Sequence, residues 1–333
     1  MIYNILDNER VRGGILIVLL CSLLWFYPFF LDDFQSNFSF SVTKLDVFFN
    51  WFGTEYRLLS AFLSFVACLF ISYIINTLLI KNLIVSQRTF IPAFIAMLTF
   101  SSLNHLNYFN SSHIIMLLLI VLIHIIFSTY RVPNVLSKLF VIGVITGLIS
   151  TLDFGLTFIL LAVLLSLISV KTLSLREFFV TLFGFLTPIY FVFSFLFIFS
   201  GDYMGFLNTL FENSFSLNIV SKGIEFSPVN TSIFFMAILA VISYTNILLF
   251  SPVNKIKQSK YGVLTSVLFI CLLIMFAFYA DIRIVSYIAI PSVIIVSIQT
   301  LNIKKKKHIS AFLYVYLFTI VLSRAYPFII QYV

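Results

Sequence analysis

The feature that most limits what this chain can fold into is a run of long apolar stretches whose connecting loops carry positive charge on alternate sides. About 20 consecutive apolar residues are needed to cross the hydrocarbon core as a helix. The candidates are 13–31, 57–80, 89–103, 111–130, 136–152, 154–170, 177–200, 230–250, 262–280, 284–302 and 309–330. Translocated loops lose Lys and Arg, whereas cytoplasmic loops keep them. With the N-terminus inside, the inside segments hold Arg10, Arg12, Lys81, Arg88, Arg131, Lys138, Lys171, Arg176, Lys255, Lys257, Lys260 and Lys304 to Lys307, which is 15 of the 20 basic residues. Lys44, Arg57, Lys222, Arg283 and Arg324 fall outside. Acids do the reverse: Asp7, Glu9 and Glu177 lie inside and the other nine of 12 lie outside. The expected fold is therefore an all-α polytopic bundle of about eleven spans, with a cytoplasmic N-terminus and an outside C-terminus.

Composition agrees. Hydrophobic residues make up 61%, charged residues 10%, and mean hydropathy is +1.12. A soluble domain is nearer a quarter charged. The net charge of +8 reflects cytoplasmic anchoring residues beside anionic headgroups, so nucleic acid is not an expected partner and membrane lipid is. The first run ends in Trp25, Phe26, Tyr27, Phe29 and Phe30 without a small-x-small pattern, which predicts an uncleaved anchor. Cys21, Cys68 and Cys271 all fall inside spans with no CxxC spacing, so neither disulfides nor a metal cluster are expected.

Two outside loops are long. In 32–56 the apolar positions Leu45, Phe48, Phe49 and Phe52 share one helical face, the pattern of a helix lying in the membrane interface. In 201–229, Phe206, Leu207, Leu210 and Phe211 form a similar stripe. The elaborated surface is therefore outside, and function is expected there.

The candidate chemistry is sparse. Asp32 and Asp33 follow the first span directly, where paired carboxylates suit a general base or a divalent-cation ligand, or simply end a helix. Asp153 stands between two apolar runs. It is either a surface turn residue or an acid within the membrane, where it would be a functional candidate. The turn at Leu152 to Gly155 competes with one long helix over 136–170, and the charge pattern favours the turn. His105 and His113 flank Asn104, Asn107, Tyr108, Asn110, Ser111 and Ser112, a group suited to hydrogen-bonding a sugar or pyrophosphate and a weak metal signal. His124 lies inside a span and is expected to be a packed histidine. Arg283 and Arg324 sit at the outside ends of the last two spans, where two guanidinium forks suit a lipid phosphate; an Asp281–Arg283 pair and a snorkelling Arg324 are the plainer alternatives. Walker, dinucleotide and HExxH signatures are missing from the sequence.

Two resemblances follow from these residues. The stretches Gly143 to Gly155, Ser174 to Phe179 and Gly184 to Pro188 resemble a family of bacterial multi-pass inner-membrane proteins of about this length, which carries no function over. The layout is similar to GT-C glycosyltransferases, which use polyprenyl-phosphate-linked sugars on the outer membrane face. That resemblance rests on the order of the first span, Asp32-Asp33, the 45–52 stripe and the glycine-bearing helix with its turn. It implies an acid–base role or cation binding for Asp32 or Asp33, lipid-phosphate binding by Arg283 and Arg324, and substrate contacts from His105, His113 and Asp153. Where GT-C enzymes carry a second acid at the end of the third span, this chain has Asn104, His105 and His113. A non-enzymatic envelope scaffold is the alternative, and a transporter or flippase ranks last because polar residues are sparse in the spans.

Overall fold

The computed structural model describes residues 6, 10–26, 44–81, 89–129, 132, 135–153, 156–170, 174–199, 238, 241, 263, 265, 267–274, 282–302 and 306–332. Among them every regular element is helical: α1 (Arg10–Phe26), α2 (Lys44–Glu55), α3 (Arg57–Lys81), α4 (Ile91–Ser101), a 3₁₀ turn (Asn104–Leu106), α5 (Ser111–Ser128), α6 (Leu136–Leu152), α7 (Ile159–Val170), α8 (Leu175–Phe199), α9 (Ile282–Asn302) and α10 (Lys306–Tyr332). Among the described residues four helices are long and apolar enough to cross a membrane: Arg57–Lys81, Ser111–Ser128, Leu175–Phe195 and Arg283–Thr300. Shorter apolar helices match the other expected spans except 230–250, which lies largely outside the described residues, and 262–280, which is described only at 263, 265 and 267–274.

The centre of the bundle is α4. All 11 of its residues are buried, so it presents no polar face and depends wholly on its neighbours α1, α3, α9 and α10. Its length is only about 16 Å, roughly half a hydrocarbon core. Pro92 sits in its first turn, where no helical N–H is lost. The N–H of Phe90 donates to the Leu6 carbonyl at 3.0 Å, which ties the N-terminal segment to the start of α4.

Close approach of α3 to the core follows from its sequence. Ser60, Ser64, Cys68, Ser72 and Asn76 recur every fourth residue and are all buried, a row of small side chains that lets α4 and α5 come near. On the opposite side Leu58, Phe62, Val66 and Phe70 are exposed, also at every fourth position. The sequence-level ambiguity at 136–170 is resolved as two helices. Leu152 ends α6, and Asp153 adopts extended φ −140°, ψ 105° while its N–H still donates to Ile149. The start of α8 is capped reciprocally by Ser174 and Glu177.

Among the described residues, helices α6 and α8 make the tightest pairing. A Cβ at Gly143 would lie 2.2 Å from the Thr181 carbonyl oxygen, at Gly147 2.3 Å from that of Phe185, and at Gly184 2.4 Å from that of Phe140. The glycine-bearing stretches that stand apart in sequence are thus one interface.

Candidate functional site

Buried polar side chains occur along the helices, and one group of them, Ser60, Ser64, Asn107, Ser111, Ser112 and His113, surrounds the connection between α4 and α5. The 102–110 connection runs from α4 to α5 without regular helix apart from its 3₁₀ turn, and α3 holds it through three contacts. Arg57 Nε–H donates to Tyr108 Oη at 2.9 Å, the Phe109 N–H donates to Ser60 Oγ at 3.0 Å, and Ser64 O–H donates to the Leu106 carbonyl. Ser64 lies seven residues beyond Arg57, which is about 10 Å along the α3 axis. Non-helical backbone therefore reaches well inside the depth of a helix long enough to cross a membrane. Such backbone needs protein partners for its polar groups, and it has them. The Leu103 and Leu106 N–H groups bond Phe100 and Leu103, and Asn110 Nδ2 donates to the His105 carbonyl at 2.7 Å.

His113 is the hub. It is fully buried at the third position of α5, with Asn110 as N-cap. Asn110 Oδ1 accepts from the Ser112 N–H at 3.1 Å, and the Asn110 N–H donates to His113 Nδ1 at 3.3 Å. The single Ser64 proton is spent on Leu106, so the His113 Nε2–H donates to Ser64 Oγ at 2.8 Å. The Phe109 ring stacks on the imidazole at 5.3 Å, and Phe49 of α2 meets Phe109 edge-on at 5.5 Å. Serine, histidine and asparagine are in the order of a nucleophilic relay, yet both Ser64 and His113 are fully buried and the serine proton points at a carbonyl. The arrangement secures the connection rather than presenting a nucleophile. At Tyr108, burial pushes the phenol above its usual range and the Arg57 guanidinium pulls it part of the way back. The neutral hydroxyl is what receives the Arg57 donor.

Asp153 is at a helix break, as the turn reading predicts, but it is not a surface residue. Only 3% of it is exposed, and the Tyr287 hydroxyl of α9 donates to its Oδ2 at 3.3 Å. Arg283 is one turn earlier on the same face of α9 and only 9% exposed. Burying a carboxylate and a guanidinium costs several kcal/mol per ion unless partners compensate, so the start of α9 is a polar layer maintained against that cost. Its level follows from packing. Lys138 Nζ donates to the Ser128 carbonyl at 2.9 Å, so the start of α6 lies beside the end of α5. The two helices have 17 and 18 residues, which returns Asp153 to the level of Ser112 and His113. Ser112 on α5 and Ser150 on α6 are both fully buried.

The predicted site residues thus separate into groups. His105 and His113 are joined through Asn110, and Asp153 joins the Arg283 face of α9 through Tyr287. Asp32, Asp33, Asp281 and the 201–229 loop lie outside the described residues; Arg324 is on α10, with its side chain likewise undescribed. His124 differs from expectation. It is exposed on the side of α5 that also shows Val121, because α3, α6 and α9 cover the other faces. The 45–52 stripe is also rotated: Phe49 turns inward and Phe48 outward. Sequence reasoning misses Tyr287, Ser64, Arg57 and Tyr108 as partners. The four-residue spacing of Arg283 and Tyr287 marks a shared face but not what it meets. The described residues contain no group of three or more His, Cys, Asp or Glu suited to a metal.

The Asp153–Tyr287 contact is measurable. Across a double-mutant cycle of Asp153→Ala and Tyr287→Phe, thermal unfolding in detergent is expected to give a coupling of about 1 kcal/mol, within the range of buried interhelical hydrogen bonds. Strict additivity would mean that the two groups do not interact.

No family model, curated protein or solved structure matches the chain.

Proposed function

We propose that this is a glycosyltransferase of GT-C-like organisation in the bacterial inner membrane, acting on a polyprenyl-phosphate-linked sugar at the outer face. The observation that supports it best is the buried polar layer of Asp153, Tyr287 and Arg283, level with His113 at one end of the bundle. In this reading the Arg283 guanidinium, with Arg324, neutralises the lipid phosphate as it departs from the sugar. Asp32 or Asp33 takes the acceptor proton directly or through a divalent cation. Asp153 and the segment carrying His105 and His113 orient the polar part of the substrate. A low-dielectric layer strengthens each of these interactions relative to water.

The test compares lipid-linked and surface glycans in wild type, a deletion strain, an Asp32→Asn/Asp33→Asn variant and Arg283→Ala, with membrane levels checked. Loss of one glycan in all three altered strains, with the variants folded and abundant, is expected. Wild-type glycans in the two variants would remove both proposed roles. A scaffold reading is favoured by one observation, the closed and fully buried Ser64–His113–Leu106 network, which leaves no reacting group open. It predicts unchanged glycan chemistry in both variants and loss of an envelope assembly only on deletion.

Orientation is testable by itself. With Cys21 and Cys68 buried, a Gln258→Cys variant in intact cells is expected to resist an impermeant thiol reagent and Phe215→Cys to react, each compared with the parent chain. The opposite pattern would invert the topology and move the polar layer to the cytoplasmic side.

A further inference from the structure

The α2 helix has two different sides, and together they point to a partner and a task. Phe48, Trp51 and Tyr56 form a contiguous row of rings, with centroids 6.0 Å apart between Phe48 and Trp51 and 6.3 Å between Trp51 and Tyr56. Each is 53% exposed. The row leads directly into the exposed face of α3, where Leu58, Phe62, Val66 and Phe70 follow at every fourth residue of a helix long and apolar enough to span. A face so apolar along a spanning helix meets acyl chains. The rings immediately before it therefore stand where acyl chains give way to headgroups, the level at which Trp and Tyr concentrate because their rings are apolar and their N–H and O–H groups are not. With 12 residues, α2 is too short to cross the bilayer itself. Its other side carries the buried Phe49, which packs edge-on against Phe109, and Phe109 stacks on His113.

We propose that the Phe48–Trp51 face of α2, continued by Tyr56 at its end, seats in the headgroup layer of the bilayer and that Phe49, turned toward the protein, holds the 102–110 connection in place. Seated in this way, α2 links the membrane surface to the connection above the buried polar layer. Its height in the bilayer then sets how firmly that connection is closed. The inference stands apart from the glycosyltransferase reading, because it concerns lipid contact and packing rather than chemistry.

The chain has two tryptophans, and the other, Trp25, is fully buried, so the difference between wild type and Trp51→Phe isolates Trp51 emission. Both proteins are reconstituted in phosphatidylcholine vesicles with bromine placed high or low on the acyl chain. The expected result is blue-shifted Trp51 emission, quenched more by bromine near the headgroups than by bromine near the chain ends. Quenching by acrylamide with no effect of bromolipid would overturn the proposal and leave the row facing water, as an open sugar-stacking platform would. Insensitivity to both quenchers would also overturn it, because the row would then be covered by protein such as a second copy. For the inner side, Phe49→Ala is expected to speed hydrogen exchange of the Leu106 and Phe109 amides while Trp51 quenching by bromolipid persists. Unchanged exchange at those amides would overturn the coupling between α2 and the connection.

Discussion

Replacing Gly143 or Gly147 by leucine is expected to cost about 3 kcal/mol or more and to leave little folded protein in the membrane. The atoms that a new side chain would meet are backbone, the Thr181 oxygen at 2.2 Å and the Phe185 oxygen at 2.3 Å. Backbone carbonyls of a helix cannot rotate away as a side-chain tip can, so α6 and α8 must separate as bodies. Separation forfeits the dispersion contacts that hold membrane helices together in the absence of a hydrophobic force between them. The pairing is also the main attachment of α8 among the described residues. Gly14 is the internal comparison. Nothing lies within 4 Å of a Cβ built there, so Gly14→Ala should be neutral or stabilising by up to about 1 kcal/mol. Unfolding midpoints in one detergent rank the three variants. Equal midpoints for Gly147→Leu and Gly14→Ala would mean that α6 and α8 are not in backbone contact.

His113→Ala is expected to destabilise by about 3 kcal/mol, from a cavity plus unpaired buried polar groups. The imidazole fills fully buried space beneath Phe109, supplies a proton to Ser64 and accepts the Asn110 N–H at the helix N-terminus. Loss of that acceptor also removes half of the reciprocal cap on α5. His113→Gln, which keeps a donor and an acceptor on a chain of similar reach, should recover part of the loss. Ser64→Ala should cost less, about 1–3 kcal/mol, because it removes the partner without opening a large cavity. Equal midpoints for His113→Ala and His113→Gln would show that a donor and an acceptor of this reach do not stabilise the site.

Much of the helix layout is legible in the chain because the signals are local. Long apolar runs mark α3, α5, α8 and α9. The break at Asp153 follows from charge alternation, which a single helix over 136–170 would reverse. The candidate site is legible only in part. His105, His113, Asp153 and Arg283 stand out as polar residues among apolar ones, but their partners do not. Ser64 lies 49 residues from His113, and Tyr287 lies 134 residues from Asp153. A hydroxyl on an apolar helix has no local mark that distinguishes a back-bonded packing residue from the partner of a buried histidine. His124 shows the converse: a lone histidine in a span looks packed until the neighbours of each helix face are known.

Local patterns in the chain are enough to establish a helical protein with membrane-spanning segments, and roughly where the helices run, because hydropathy and charge act over one helix length at a time. Four other features needed the assembled bundle: Asp153 buried against Tyr287, Phe49 buried where its neighbour Phe48 is exposed, α4 enclosed on every side, and Gly143, Gly147 and Gly184 meeting in one contact. Burial and partnership depend on which helices lie beside one another. That choice comes from packing between residues far apart in the chain, and no local pattern carries it.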